Sequence, residues 1–411
     1  MTRILILSIY HDPEPIPKTG ELARELLRRG HDVTVVTAFP HYPSGDLYPG
    51  YRLAPWQWET RDGVRILRTF IFPYHGTRGS LRILNYISWM ISSIQAAWLA
   101  PACDVMYVWH PPLTVGVSAW IIAKLKHVRY VYDVQDLWPE SALASGLLRP
   151  GAVVNVLHRL ADWVYARAPR ILVVSEAAKA EIARRGVDAA KISVAPHWID
   201  TTPFSRETFR DIRAEFGWRG RFVVMFAGNL GMVQGLETVI DAAARLKERS
   251  DVLFVLVGDG SDRARLESMV SDQRLTNVAF AGRHPADQMP DFFHAADALV
   301  VHLRPSEIAD HAVPTKILAY LASGRPVICA TAGASADLVR AAGAGLVCPP
   351  GDPNALAAAV TQLASMSESE RAALGDRGRS YLQAHFEQQT VIDGYERLLD
   401  ALAHVRRQRE A

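Results

Sequence analysis

Lys316 is the side chain whose position most needs a chemical reason. It follows Pro314-Thr315 and opens the apolar helix pattern Ile317-Leu318-Ala319-Tyr320-Leu321-Ala322, with Thr315 placed to cap it. A cation in the first helical turn opposes the helix dipole unless it meets an anion, which favours a phosphate-binding lysine over a solvated one. Earlier in the same half, the loop Gly228-Asn229-Leu230-Gly231 separates a strand pattern from a helix pattern. Backbone N–H groups and a helix N-terminus can meet a phosphate in such a loop. Gly258-Asp259-Gly260 follows the next strand pattern. For both loops an ordinary turn after a strand is the competing reading.

The first half has its own candidates. Asp133 falls within or at the edge of an apolar strand run and is costly there unless paired. Asp136 lies just past the run, a candidate to face a cleft or else a turn aspartate. His110, between Trp109 and Pro111-Pro112, occupies an equivalent loop end and reads equally well as a structural histidine. Several chemistries lose support. The chain has no Asp-x-Asp triplet, no His-Glu-x-x-His, no P-loop signature and no Gly-x-Ser-x-Gly elbow. A Pro-rich loop follows the first strand in place of Gly-x-Gly-x-x-Gly, against a nicotinamide dehydrogenase.

These residues need strands to hold them. Arg3–Tyr10 is an apolar run of strand length, followed by a helix pattern closed by Gly30 and a second strand at Asp32–Thr37. The plan recurs with a strand at Phe222–Ala227, a helix at Leu236–Lys247 and a strand at Val252–Val257. Leu236, Val239, Ile240 and Ala243 line that helix at the i, i+3, i+4, i+7 spacing. Two such openings predict two doubly wound α/β domains, whose ligands gather in a cleft at the carboxyl ends of the strands. Further strands are expected at Asp104–Trp109, Tyr130–Val134, Ile171–Val174, Ile192–Ala195, Val278–Ala281, Ala298–His302 and Pro326–Cys329. The expected domains are residues 1–200 and 201–385, with a C-terminal helix over 386–411 returning to the first. The stretch Arg371–Arg407 reads as long, helical and charged, and Tyr42–Tyr74 yields no order of elements.

A length of 411 residues with 49% apolar and 21% charged side chains is that of a soluble globular chain. Residues 1–200 carry 22 Lys and Arg against 17 Asp and Glu; the remainder carry 23 against 26. A modestly basic first half suits an anionic partner such as a membrane surface or diphosphate lipid, and equally a chance imbalance. Three dispersed cysteines (Cys103, Cys329, Cys348) read as buried thiols in a reducing cytosol. No secretory signal is expected, since the first apolar run is short and meets His11-Asp12. Ile83–Ala102 carries no charge, yet Asn85, Ser88, Ser92 and Gln95 form a polar stripe that a spanning helix would not need. It either packs in the first domain or lies at a membrane interface, where Trp89, Trp98, Arg78 and Arg82 would serve.

Taken together the chain resembles the retaining GT-B glycosyltransferases of family four over nearly its whole length. The matching runs are Lys18–Glu21, Arg29–Val33, Asp133–Pro139, Gly228–Gly231, Gln234–Glu237, Val257–Gly260, Pro314–Pro326, Gly345–Val347 and Pro349–Asp352. Within the family it is most similar to the amino-sugar transferases of O-antigen and capsule synthesis. The resemblance implies a metal-independent, retaining transfer from a nucleotide-diphosphate sugar, UDP-linked, to a lipid-linked or cell-envelope saccharide. No cofactor and no nucleic acid are implied, and the place of work is the cytoplasm, at the inner face of the membrane.

The resemblance also implies roles. Thr19-Gly20 would approach the diphosphate from the first domain. Gly228, Asn229, Gly231, Gln234, Gly258, Thr315 and Lys316 would hold it from the second, with Arg283 and His284 near the nucleobase. Asp136 falls where the family has a cleft-facing His-Asp pair, but Gln135 replaces the histidine. His311 and Ala319 stand where the family places two glutamates, so the second, ribose-holding carboxylate is absent, with Glu307 or Asp310 as substitutes. Asn229 and Gln234 replace basic residues. Rival readings are a natural-product transferase with a small acceptor, a catalytically degenerate binding or scaffold subunit, and a sugar-nucleotide 2-epimerase.

Overall fold

The computed structural model describes residues 1–76, 78–144, 148, 151–206, 209–305 and 313–410, with side chains to 404. It divides into two units: Met1–Ala195 together with the C-terminal segment from Ile392, and Pro196–Val391.

The first unit is built on eight strands: β1 (Arg3–Leu7), β2 (Asp32–Ala38), β3 (Trp56–Arg61), β4 (Val64–Thr69), β5 (Val105–His110), β6 (Arg129–Val134), β7 (Arg170–Val173) and β8 (Ile192–Val194). Their order is β3-β4-β2-β1-β5-β6-β7-β8, parallel except for β3. The unassigned stretch Tyr42–Tyr74 thus contains a hairpin. Arg61 pairs with Val64 across Asp62-Gly63, both at positive φ, which is the Asp-Gly turn that matches strand twist. Trp56 and Trp58 stay exposed on this edge strand.

The expected run Ile83–Ala102 is two helices, Gly79–Ser93 and Ala96–Leu99. The first is amphipathic in the reverse sense. Asn85 and Ser92 are buried, whereas Ile83, Leu84, Ile87 and Ile91 are 39–61% exposed. The polar stripe faces inward because it carries bonds. Asn85 Nδ2 donates to the Phe72 carbonyl (2.7 Å), and Ser88 Oγ accepts from the Phe72 N–H (2.8 Å). No helix among the described residues is long and apolar enough to cross a membrane.

The second unit holds six parallel strands: β9 (Phe222–Ala227), β10 (Val252–Val257), β11 (Val278–Gly282), β12 (Ala298–His302), β13 (Val327–Ala330) and β14 (Gly345–Val347). The order β11-β10-β9-β12-β13-β14 puts the topological switch between β9 and β12. Alternate residues feed two cores. Val223, Met225, Val255 and Val301 meet the helices Met289–Ala295 and Thr315–Ser323. Val224, Phe226, Phe254 and Val300 meet Glu237–Arg245 and Pro353–Ser365. Near-continuous apolar strands are what a sheet covered on both faces requires.

The stretch expected to be helical over Arg371–Arg407 is occupied by two helices, Glu368–His385 and Gln388–Glu410. Ser367 and Glu370 form a capping box at the first start. The break comes where the Phe386 carbonyl accepts from the Ile199 N–H (3.2 Å) and Glu387 bridges Ile199. From Ile392 onward the second helix completes the first unit. Arg29 Nη1 donates to Asp393 and Glu396 (both 2.6 Å), and Thr2 Oγ1 to Asp400 (2.7 Å).

Candidate functional site

The carboxyl ends of β9, β10 and β11 enclose a cavity of about 1140 Å³. Gly228-Asn229, Gly258-Asp259 and Arg283-His284 line it, one pair from each strand end, with Met289 and Phe293 beyond. The two glycine loops interlock. Gly258 has φ +135°, and a Cβ there would lie 1.9 Å from the Gly228 carbonyl oxygen. Gly258→Ala is therefore expected to destabilise the second unit by roughly 3 kcal/mol or more, read as a lowered urea midpoint. The Gly228 N–H donates to Val257 (2.9 Å) and the Gly258 N–H to Gly282 (2.7 Å). Neither is therefore available to a phosphate, which corrects the simplest expectation for these loops. The N–H groups of Asn229 and Gly231 have no hydrogen bond among the described residues. Arg283 is exposed, and His284 Nε2 lies 2.9 Å from the Ala281 carbonyl.

Lys316 sits behind Gly228. A Cβ on Gly228 would lie 3.1 Å from Lys316 Nζ. The ammonium donates to Gln234 Oε1 (2.6 Å) and stands 4.1 Å from the Phe226 ring centroid. It has no carboxylate partner among the described residues, and burial pulls it down to about 7. Tyr320, one turn on, fixes this geometry: its hydroxyl accepts from the Ala227 N–H (2.9 Å) and donates to the Ala227 carbonyl (3.1 Å). Pro314, not Thr315, is the N-cap; Thr315 is an exposed first helical residue and makes no cap bond. The opposing wall is tied by His302, whose Nδ1 lies 2.7 Å from the Gln234 carbonyl and whose Nε2 accepts from Gly351. Arg304 Nη2 reaches Glu237 at 2.6 Å. Phe226, His302 and Tyr320 carry no local signal in the sequence, since each looks like an ordinary core or strand residue. Ala319 is partly buried against the apolar core. His311, Glu307 and Asp310 lie outside the described residues.

In the first unit Thr19 is fully buried in the first turn of the helix Lys18–Arg28. Its hydroxyl donates to the Tyr10 carbonyl (3.2 Å) and meets His11 Nδ1 (3.1 Å), so the side chain is spent inside the unit. A Cβ on Gly20 would collide with the Asp12 carboxylate. Glu14 accepts from the N–H groups of His11, His41 and Tyr42 at 2.8–3.0 Å, joining two loops, and burial raises it to about 7. The folded state then holds the extra proton between about pH 4.5 and 7, so stability falls as pH rises through that window. Glu14→Gln is expected to flatten this slope, measured as urea midpoints at pH 5 and 7.

His110 is wholly buried at the end of β5, its ring 5.7 Å from that of Tyr132, and neither nitrogen has a hydrogen-bond partner among the described residues. Burial pulls it down to about 3. As placed, it cannot exchange a proton with a substrate. Asp136 is exposed and makes no ion pair among the described residues. Asp133 has the partners it needs. Lys18 Nζ lies 3.3 Å away, Tyr395 OH donates at 3.1 Å, Gln135 Nε2 donates at 2.5 Å, and Tyr107 OH donates as well. Gln135 is thus a structural brace.

A cavity at the carboxyl ends of parallel strands and two doubly wound sheets define a GT-B protein. Residues 16–198 match the family described as glycosyl transferase 4-like domain, and residues 221–366 that described as glycosyl transferases group 1. Each half of the chain is thus similar to a glycosyl transferase domain family, a different one in each. WcaI of Escherichia coli (strain K12), which carries the name of a colanic acid biosynthesis glycosyl transferase, is 28% identical over 339 residues, covering 78% of this chain and 81% of its own. The 2-deoxystreptamine glucosyltransferase of Streptomyces kanamyceticus is 28% identical over 211 residues, 49% of this chain and 52% of its own. The crystal structure of Anabaena Alr3699/HepE in complex with UDP superposes with a TM-score of 0.71 at 18% identity, over 97% of this chain and 100% of that one. At that identity the likeness speaks for the fold.

Proposed function

We propose that the protein moves a sugar from a UDP-sugar, with retention and without a metal, to a lipid-linked or cell-envelope saccharide acceptor. The observation that carries this is Lys316: a half-buried ammonium behind the glycine wall of the cavity, held by an amide and a ring instead of a carboxylate. Such a cation is poised for an arriving diphosphate. UDP in HepE and the name of WcaI support the donor and the acceptor class respectively. In this reading Arg283 and His284 flank the nucleobase. As the diphosphate leaves, Lys316 and the N–H groups of Asn229 and Gly231 stabilise its developing charge, and the acceptor hydroxyl attacks from the same face, passing its proton to the departing phosphate oxygen.

The ribose has no carboxylate at Ala319, so its grip is weaker by a contact of roughly 1.5–3 kcal/mol. The outward aliphatic face of Gly79–Ser93 supports work at the cytoplasmic face of a membrane. Transfer to a small soluble acceptor is the second reading, favoured by the 2-deoxystreptamine glucosyltransferase relative. Calorimetry with a panel of nucleotide-diphosphate sugars, followed by product mass, tests the proposal. Binding of a UDP-sugar and a mass shift on a lipid-linked saccharide are expected. Silence toward every donor would leave a binding or scaffold subunit.

A further inference from the structure

The reversed helix Gly79–Ser93 borders a second hollow, of about 450 Å³, in the first unit. Tyr86, Met90, Val117, Trp138, Leu157 and Leu160 form its walls. It opens among aliphatics that the fold leaves exposed: Ile83 and Ile87 on one helix, Val153 and Val156 (55% and 62% exposed) on the helix Ala152–Arg167. A hollow this apolar stays dry and takes hydrocarbon. A peptide would bring N–H and C=O groups against walls with almost nothing to pair them.

One polar feature stands at this hollow. The Arg82 guanidinium lines it, with Nη2 donating to Tyr86 OH (2.9 Å) and the charge 5.9 Å from the Tyr86 ring centroid. Its Nε is buried without a partner, and Arg82 has no ion pair among the described residues. Neither Gly79–Ser93 nor the stretch Ala152–Ala161 carries a carboxylate, while Arg78 and Arg159 add positive charge. Hydrocarbon walls beside an unneutralised cation are complementary to a chain with an anionic head.

We infer that this hollow takes the hydrocarbon chain of a phosphate-headed lipid, with the head against Arg82. The inference deepens the acceptor reading above and rests on it, since the lipid would be that of the acceptor.

The test uses the full-length protein and dodecyl phosphate below its micelle concentration, brominated at the chain end to quench Trp138. Saturable quenching is expected, absent in Trp138→Phe. Arg82→Gln should weaken dodecyl phosphate at least tenfold and leave dodecanol unchanged. Leu160→Trp, which fills the hollow, should abolish both. Equal affinity for dodecanol and dodecyl phosphate, or an unaffected Arg82→Gln, would overturn the inference. So would displacement by inorganic phosphate as effective as by the lipid, or a dimer in sedimentation that dodecyl phosphate fails to disperse. UDP binding by calorimetry is read in parallel on every variant. A protein that binds UDP but not dodecyl phosphate loses this inference alone, whereas one that binds no nucleotide sugar loses the transferase reading.

Discussion

Lys316→Ala is expected to cut turnover about a hundredfold, roughly 2.7 kcal/mol of transition-state stabilisation. The effect belongs in turnover more than in donor affinity, because charge on the diphosphate grows as the sugar departs. Steady-state kinetics at saturating donor checks it, and unchanged turnover would remove Lys316 from the mechanism. The same residue predicts a pH signature. Burial holds the free ammonium near 7, so UDP binding should tighten as pH falls through 7 and should take up a proton above it. Calorimetry in buffers of different ionisation enthalpy reads that uptake directly.

Stability should move the opposite way. Between about pH 7 and 10.5 the unfolded chain holds the Lys316 proton more tightly than the folded one, so folding strengthens as pH rises across that window. Lys316→Met should therefore be more stable than the parent below pH 7, by a margin that shrinks toward alkaline pH. An inactive variant with a higher thermal midpoint would show that the cation is kept for function.

Asp133→Ala carries the largest expected effect on folding. It would remove the carboxylate beside the Lys18 ammonium, whose side chain is 11% exposed, and the acceptor that the hydroxyls of Tyr107 and Tyr395 share. Removing one partner of a buried ion pair costs roughly 3–5 kcal/mol, much of it the charge left behind. Urea unfolding followed by first-unit fluorescence checks this. The double variant Asp133→Leu with Lys18→Met should recover part of the loss, because it removes both charges together. A single variant with parental stability would mean that solvent reaches Lys18 freely.

The sheets were readable because their strands are buried on both faces and therefore appear as unbroken apolar runs, as in Val252–Val257. The hairpin at β3–β4 was not, although Asp62-Gly63 marks its turn; β3 is an edge strand whose exposed Trp56 and Trp58 blur the alternation. Lys316 was readable from a local conflict with the helix dipole. Its companions were not: Phe226 and Gln234 lie 90 and 82 residues away and meet it through tertiary packing, while Tyr320, four residues on, reads as one more core aromatic of the helix. The polar stripe of Gly79–Ser93 was visible, but periodicity shows that two faces differ and not which one turns inward. That depends on the unpaired Phe72 backbone, which Asn85 and Ser88 satisfy.

The helix that returns to the first unit has a consequence for how the protein is made. Lys18 and Asp133 leave the ribosome before the second unit, but Tyr395, which packs against both, follows it. The first unit therefore waits, its buried charges open to water, while the whole second unit is translated and can fold independently. A nascent chain stalled before Tyr395 should expose the Lys18 amine to acylating reagents that the finished protein resists. Order of completion is thus the reverse of order of synthesis.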